Sequence, residues 1–312
     1  MRLELLLSAL PLLYWPHGVE TAAALRQAGI ERVGVPPDRA EAWRQAGFAV
    51  VIATPAEIDA RERLTAPGIA AQADTVSATR SPWILANGWR FLRGRQGTFL
   101  YDLPAGPGAL AAAEAFVYGA DALLKIDPSD VEEVGAMLVF LGRLPALELP
   151  AVADFGVVDD GSPLLGEVMN LLVRRNLLFA VLDAPSPRFR INVRVGTKEY
   201  TRKEAADPSA FALRIRRELT DEERTLRVYG TECVIARLGA DGARARLHLL
   251  NYGGRDIEGL RIRLRGAFPE GEAFVAGRGR APLEEHVVAN GATEFSLPRM
   301  GPYAVVDLRA GR

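Results

Sequence analysis

The chain has few of the side chains that hold metals or form disulfides. Among 312 residues there are three histidines and one cysteine, Cys233. A single thiol excludes an intramolecular disulfide, and so few thiols and imidazoles argue against a zinc site. Cys233 begins the apolar run Cys-Val-Ile-Ala, which is typical of a thiol packed in a core. We therefore expect no bound metal.

An excess of charge of one sign is also missing. The 38 Lys+Arg residues balance 39 Asp+Glu residues, and the formal net charge is -1. This balance provides no general attraction for nucleic acid or an anionic membrane surface, so we expect no nucleic-acid partner. Lysine itself is rare, and Lys125 is the one lysine placed within an apolar strand pattern.

No apolar run is long enough to cross a bilayer, which takes about 20 residues in a helix. We therefore expect no membrane span. The leucine-rich segment Met1–Leu13 has two interpretations. It is either a secretory signal, which implies a secreted or periplasmic protein, or a first buried strand, which implies a cytoplasmic one.

Common sequence motifs for nucleotide binding and hydrolysis are absent too. The sequence contains no Gly-x-Gly-x-x-Gly after a strand, no Walker Gly-x-x-x-x-Gly-Lys, no His-Glu-x-x-His and no Gly-x-Ser-x-Gly. We expect no cofactor.

What the sequence does contain is an ordinary globular composition, with 49% hydrophobic and 25% charged residues. Its length favours two domains. Strand and helix patterns alternate over residues 1–195, which indicates parallel strands joined by helices. The predicted strands of this body are 12–16, 32–35, 49–53, 98–103, 122–126, 155–158 and 178–182, with helices at 19–28, 38–46, 109–118, 129–144 and 163–175.

With a weak strand near Thr75–Ala78, eight strands are complete by Leu182, the number in a (β/α)8 barrel. Such barrels typically take about 250 residues, so the pattern predicts a trimmed or degenerate barrel. An open parallel sheet is the alternative, as is a part barrel followed by a flavodoxin-like unit from about residue 150.

The pattern changes in the C-terminal part of the chain. A last helix over Ala206–Leu219 lies in a linker at 196–224, and short alternating strands follow from Thr225. Asp241-Gly242 between two such runs is a hairpin signal. Strands at this spacing predict an antiparallel β-sandwich over 225–312.

Three segments of this region carry a resemblance: Arg246–Gly253, Ile257–Leu264 and Pro298–Leu308. With their "HLLNY" and "YAVV-L" strands they resemble the terminal β-sandwich of multidomain glycoside hydrolases. Residues 150–195 look like the amidotransferase-like domain that follows the barrel in some β-galactosidase relatives. That domain has no catalytic cysteine there, and neither has this segment, so the resemblance implies a structural role.

Candidate catalytic residues lie where ligands gather in parallel α/β folds, outside the carboxyl ends of strands. Asp102 follows one strand and Asp127 the next, so they are the candidate acid and base or nucleophile of glycosidic cleavage. Alternatively, Asp102 forms a turn and Asp127 caps a helix. The glutamate pair that such hydrolases carry at strand ends is not recognisable, which favours a non-catalytic alternative.

Further side chains are candidates for binding a sugar. Tryptophans on an irregular loop suit sugar stacking, although they also serve to hold a loop down. Lys125 faces either the barrel interior or the helix layer and needs a carboxylate partner, so it binds a hydroxyl or forms a structural ion pair. The predicted binding residues are His17, Trp83, Asn87, Trp89, Arg90, Tyr101, Lys125, Asp159 and Asp160.

Together these features predict a glycoside hydrolase-like protein that acts on or binds a saccharide at the carboxyl ends of its strands. The alternative is a non-catalytic sugar-binding or structural scaffold protein descended from such an enzyme. The sequence leaves the substrate and the oligomeric state open.

Overall fold

The computed structural model describes residues 10–70, 83–94 and 96–311. The helices are α1 (Ala22–Gln27), α2 (Ala40–Gln45), α3 (Pro55–Asp59), α4 (Gly88–Arg93), α5 (Gly108–Tyr118), α6 (Val131–Arg143), α7 (Pro163–Arg174), α8 (Arg202–Ala205), α9 (Pro208–Glu218) and α10 (Thr220–Glu223). Short 3-10 turns cover Val19–Thr21, Pro37–Arg39 and Pro128–Asp130.

The strands before residue 200 are β1 (Leu12–Tyr14), β2 (Arg32–Val35), β3 (Ala49–Ile52), β4 (Glu62–Leu64), β5 (Gly68–Ala70), β6 (Trp83–Leu85), β7 (Thr98–Asp102), β8 (Asp121–Lys125), β9 (Phe155–Val158), β10 (Phe179–Leu182) and β11 (Asn192–Val193). The later strands are β12 (Leu226–Tyr229), β13 (Val234–Ala240), β14 (Arg244–Asn251), β15 (Ile257–Arg265), β16 (Glu270–Val275), β17 (Gly279–Ala281), β18 (Glu284–Ala289), β19 (Ala292–Met300) and β20 (Tyr303–Arg309).

The chain divides into two compact units. The first consists of Met1–Gly68 and Gly94–Ala146, and the second of Ile69–Arg93 and Leu147–Arg312. Each unit is defined by residues that contact one another more than they contact the other unit. The sequence-based boundaries at 195 and 225 stay predictions.

A six-stranded parallel sheet forms the first unit, in the order β3-β2-β1-β8-β7-β4. When the six strands are taken in chain order, each pairs with at least one of its neighbours in that order. The first strand, β1, also pairs with the last, β8. This is the pairing of a ring, and the one pairing that the described residues lack is between β3 and β4. The described residues of the first unit thus form a parallel sheet that is not closed, which agrees both with the predicted trimmed barrel and with the open-sheet alternative.

The eight predicted strands do not belong to one sheet. β9 and β10 lie in a separate sheet with β11. The predicted strand near Thr75–Ala78 lies outside the described residues. β4, which the sequence did not reveal, occupies an edge of the six-stranded sheet.

One face of that sheet is covered by helices. Leu13, Val33 and Leu124 point to this face and are fully buried. Helix α6 packs closely on α1, because a Cβ on Gly135 would lie 2.2 Å from the carbonyl oxygen of Ala28. Glycine permits this approach, and larger residues would force the two helices apart.

The opposite face carries a smaller apolar cluster of Tyr14, Ala53, Leu100 and Leu123. Ile58 of helix α3 packs against this cluster. α3 begins with a capping box, in which Thr54 accepts from the Glu57 amide and Glu57 accepts from the Thr54 amide. The short helix thus joins the two edge strands β3 and β4 and adds an apolar side chain between them.

The second unit contains a parallel sheet in the order β10-β9-β11. Strand β9, helix α7 and strand β10 make a βαβ unit, and Ser162 caps α7 by accepting from the Leu165 amide. Phe155 and Val157 of β9 are buried.

Two antiparallel sheets complete this unit, in the orders β12-β15-β19-β18 and β13-β14-β20-β16-β17. One hydrophobic cluster draws on both, including Leu247 and Leu249 from one sheet and Ile262 and Phe295 from the other. The predicted hairpin is present at Gly242, whose φ of +87° suits glycine.

A polar row lies on the other face of β14 and β20. Arg246 and Asp307 form a buried ion pair of 2.6 Å. Nδ1 of His248 lies 2.7 Å from the hydroxyl oxygen of Tyr303. Burial lowers the pKa of His248 to about 3, and the nearby charge of Arg246 adds to this. The histidine of the "HLLNY" strand is therefore neutral and structural.

No helix in the described part of the chain is both long enough and apolar enough to cross a membrane.

Candidate functional site

Polar side chains meet on the sheet face of the first unit that carries this small apolar cluster, at the carboxyl ends of β1, β7 and β8. Leu100 and Leu123 belong to the apolar cluster of this face. Side chains two residues apart in a strand share a face, so Asp102 and Lys125 point the same way as these leucines. We call the group Tyr14, Arg63, Asp102 and Lys125 the mouth cluster.

Lys125 and Asp102 are register partners on adjacent strands. Nζ of Lys125 lies 2.9 Å from one carboxylate oxygen of Asp102 and 3.1 Å from the other. Nη1 of Arg63 lies 3.4 Å from the same carboxylate. The side chains of Lys125 and Asp102 are 41% and 43% exposed, so the pair is open to solvent.

Tyr14 brings a phenol to this group. Burial raises the pKa of Tyr14, although the charges of Lys125 and Arg39 act in the opposite direction. The hydroxyl therefore stays protonated at neutral pH and is able to donate a hydrogen bond. Arg39 is held in place by donating to the carbonyl of Pro16.

Asp127 follows β8 but acts locally. Its carboxylate accepts from the Ser129 amide at 2.9 Å and from the Ser129 hydroxyl at 2.7 Å, as the cap of the turn at 128–130. These two bonds lower the pKa of Asp127, and the charge of His17 contributes further. His17 packs against Trp15, with ring centroids 4.5 Å apart. Asp127 therefore has the geometry of a helix cap, which the sequence analysis gave as the alternative to a catalytic role.

Tyr101 does not join the mouth cluster. It precedes Asp102 in β7, so its side chain points to the helix-covered face. There its hydroxyl donates to the carboxylate of Glu114 on helix α5 at 2.5 Å, and both residues are buried.

The aromatic loop residues lie in the second unit, where Trp89 and Asn87 are buried. The Trp89 ring packs on helix α7 at Gly166, because a Cβ there would lie 2.8 Å from the ring. Arg90 covers the ring with its guanidinium 4.4 Å from the centroid. Trp89 therefore holds this segment against the helix.

Trp83 is more accessible, with 38% exposure. The guanidinium of Arg174 lies 4.3 Å from its ring centroid. This contact is a cation–π interaction that occupies one face of the indole.

Asp159 and Asp160 form ion pairs and turn contacts in the second unit. Arg93 donates from Nη2 and Nε to Asp159, at 2.7 and 2.9 Å. Asp160 accepts from the Ser162 amide at 2.9 Å and pairs with Arg202 at 3.4 Å. Burial alone would raise the pKa of each carboxyl, but these hydrogen bonds outweigh it and lower both pKa values.

The predicted site residues therefore separate into two groups. The first unit contains His17, Tyr101, Asp102, Lys125 and Asp127, whereas the second contains Trp83, Asn87, Trp89, Arg90, Asp159 and Asp160. Sequence reasoning missed Arg63 and Arg39. Arg63 lies in the three-residue strand β4, which is too short to produce a periodic signal.

A cavity of about 650 Å³ in the first unit lies away from the mouth cluster. Its lining comes chiefly from the amino-terminal ends of strands and includes Leu12, Arg32, Arg61, Thr98 and Asp121. Arg61 is fixed by donating to the backbone and the carboxylate of Asp121, at 3.2 and 2.9 Å. None of the predicted site residues, most of which were chosen at the carboxyl ends of strands, lines this cavity.

Within the described ranges, no three His, Cys, Asp or Glu residues are grouped so that they could hold a metal ion.

Comparison with known proteins gives a likeness of fold. No protein-family model matches the chain, and no curated protein matches it either. Among solved structures, α-L-fucosidase isoenzyme 2 from Paenibacillus thiaminolyticus is similar, with a TM-score of 0.56 and 9% identity over 88% of this chain and 71% of the fucosidase. The chain thus has a glycoside hydrolase-like fold.

Two β-galactosidases give lower scores. The structure of a catalytic mutant from G. stearothermophilus has a TM-score of 0.42 and 9% identity, over 85% of this chain and 65% of that chain. The β-galactosidase from Bacillus circulans sp. alkalophilus has a TM-score of 0.38 and 9% identity, over 89% of this chain and 63% of that chain.

Proposed function

We propose that this protein binds a saccharide at the mouth cluster and does not hydrolyse it. The observation that carries the proposal is the Lys125–Asp102–Arg63 group, which lies exposed at the carboxyl ends of a barrel-like sheet. In parallel α/β folds this is the edge at which ligands bind.

The chemistry of the cluster suits sugar hydroxyl groups. The carboxylate of Asp102 accepts hydrogen bonds, whereas the ammonium of Lys125 and the guanidinium of Arg63 donate them. Tyr14 supplies a hydroxyl that is able to donate or accept. A few convergent polar groups above an apolar floor are typical of small-molecule sites, and the cluster of Leu100 and Leu123 supplies that floor.

Two features favour binding over hydrolysis. Glycosidic cleavage requires a general acid whose pKa is raised, so that it holds a proton for the leaving oxygen. The pKa of Asp127 is instead lowered by its bonds to Ser129. Both oxygens of Asp102 contact the ammonium of Lys125, at 2.9 and 3.1 Å, so this carboxylate is engaged in an ion pair.

Hydrolysis by Asp102 and Asp127 is the second candidate. Its support is that both carboxylates follow adjacent strands, β7 and β8, in a fold shared with a fucosidase. Displacement of Ser129 from the Asp127 carboxylate by a bound sugar would favour this candidate, because it would remove the hydrogen bonds that lower the pKa of Asp127.

For the rest of the chain we propose that the two antiparallel sheets form the β-sandwich predicted for 225–312. The shared hydrophobic cluster of Leu247, Leu249, Ile262 and Phe295 supports this packing. The βαβ unit of β9, α7 and β10 is then the amidotransferase-like segment with a structural role.

A thermal-shift screen tests the proposal. The panel contains mono- and oligosaccharides, including L-fucose and galactose, and is applied to the wild type, Lys125→Met and the control Lys203→Met on exposed helix α8. We expect stabilisation by at least one sugar that Lys125→Met abolishes and the control retains. Nitrophenyl α-L-fucoside and β-D-galactoside are incubated in parallel, and release of nitrophenol that Asp127→Asn abolishes would favour the second candidate.

A further inference from the structure

A second cleft lies in the second unit and is lined by residues that the proposed sugar site does not use. Its volume is about 350 Å³. One side comes from the segment before β11, and another from Thr225 and the end of β15. We call it the arginine cleft, and the lining residues that matter are Val152, Asp154, Arg188, Phe189, Arg190 and Arg265.

The three arginines of this cleft differ in their partners. Arg190 is engaged, because its Nη2 donates to the Glu218 carbonyl at 3.0 Å and pairs with the Glu223 carboxylate. Within the described part of the chain, no carboxylate lies within 4.0 Å of the guanidinium of Arg188 or Arg265. Neither guanidinium thus forms an ion pair at contact distance, although the charge of Arg265 acts on Asp154.

Each of these two guanidiniums is nevertheless positioned. Arg188 lies over the Phe189 ring, with 5.2 Å between its guanidinium carbon and the ring centroid. Nη2 of Arg265 lies 3.4 Å from the Thr225 hydroxyl, and the Arg265 amide donates to the Thr225 carbonyl at 2.8 Å. A guanidinium that is held in this way retains donors for an oxyanion.

Two carboxyl groups also line the cleft, and both have local partners. Glu223 is paired with Arg190. Asp154 accepts from the Thr225 amide at 3.1 Å and from the Thr225 hydroxyl. Burial raises the pKa of Asp154, against the effect of these bonds and of Arg265. The two carboxyl groups are thus directed toward local partners, Asp154 toward Thr225 and Glu223 toward Arg190.

We propose that the arginine cleft binds a small organic anion whose carboxylate or phosphate is held by Arg188 and Arg265. The apolar part of the ligand rests on Val152 and Phe189. The volume lies at the lower end of the roughly 300–1,000 Å³ usual for small-molecule sites, so the ligand is about the size of one substituted ring.

Titration calorimetry with three aromatic probes tests this proposal. Benzoate carries a carboxylate, phenyl phosphate a phosphate, and benzyl alcohol neither. We expect one or both anions to bind, more weakly at high ionic strength, and benzyl alcohol to show no measurable binding. The stronger of the two anions identifies which oxyanion the cleft prefers.

Two variants and a matched control locate the site. Arg188→Gln and Arg265→Gln should each weaken anion binding on the order of tenfold or more, because each removes a charged hydrogen-bond donor. Arg261→Gln lies on the same strand as Arg265 but pairs with Glu294, and it should leave binding unchanged. Equal binding of benzyl alcohol, equal loss in the control, or no binding of either anion would overturn the proposal. None of these results depends on sugar binding at the mouth cluster.

Discussion

Lys125 and Asp102 occupy facing positions on two parallel strands, with 2.9 Å between the ammonium nitrogen and the nearer carboxylate oxygen. Both side chains are more than one-third exposed, and ion pairs of this kind typically contribute about 0–1 kcal/mol to stability. The pair therefore matters little for folding, whereas its position at the strand ends suits ligand binding.

Asp102→Asn should separate these two roles. We expect its free energy of unfolding to stay within about 1 kcal/mol of the wild type, because the ion pair is solvated. Binding of any sugar found by screening should weaken, because the amide replaces a charged acceptor that Lys125 and Arg63 orient. Denaturant unfolding and titration calorimetry measure the two quantities. A large loss of stability would show that the pair supports the fold instead.

Tyr101→Phe is expected to lower the free energy of unfolding. The Tyr101 hydroxyl donates to the buried Glu114 carboxylate, and removal of a hydrogen bond to a buried charged group costs about 1–3 kcal/mol. Tyr229→Phe, at an exposed tyrosine, is the matched control and should cost much less. Urea denaturation compares them, and equal effects of the two substitutions would argue against a structural role for the Tyr101–Glu114 contact.

His248 should make the fold sensitive to acid. Its folded pKa of about 3 lies below the unfolded value of 6.5, so the unfolded chain binds more protons between these pH values. Stability from this group is complete above about pH 6.5 and is lost as pH falls toward 3, by up to roughly 1.4 kcal/mol per pH unit.

The comparison with His248→Gln isolates this contribution, because the glutamine does not titrate. The difference in unfolding free energy between the two proteins should change in favour of the variant as the pH is lowered. A pH-independent difference for His248→Gln would contradict the assignment.

Gly166→Ala should destabilise the second unit despite the better helix propensity of alanine. The added methyl would lie 2.8 Å from the Trp89 ring, and overpacking of this kind typically costs about 1–3 kcal/mol. Gly142→Ala is the control and should be neutral or stabilising, because its added carbon would lie 3.7 Å from the nearest atom, Cδ1 of Leu10. Thermal unfolding of the two variants provides the test. An unchanged melting temperature for Gly166→Ala would show that the Trp89 ring shifts to admit the methyl group without loss of stability.

Several elements were predictable because their signals are local. The strands at Arg32–Val35, Phe155–Val158 and Arg244–Asn251 have the predicted bounds, since apolar runs between turns define them. The sequence also placed Asp102 and Lys125 near the ends of successive strands, but their ion pair was not predicted, because it depends on the register of β7 with β8. The cap formed by Asp127 was also open to prediction, because Ser129 lies two residues later.

Other features depend on residues far apart in the chain. β4 has three residues and is stabilised by pairing with β7. A strand this short has no periodic pattern, so neither β4 nor Arg63 was predicted. The burial of Trp89 depends on Gly166 in another helix. The division of the predicted strands between two sheets likewise depends on long-range pairing, which composition and periodicity do not encode.

The most direct test of the central claim is titration calorimetry of the best saccharide against wild-type protein and Lys125→Met, with product analysis of the same samples. Binding that is lost in Lys125→Met, kept in Lys203→Met and accompanied by intact saccharide is the predicted result. Saccharide binding that Lys125→Met leaves unchanged, or cleavage of the saccharide by the wild type, would contradict the claim.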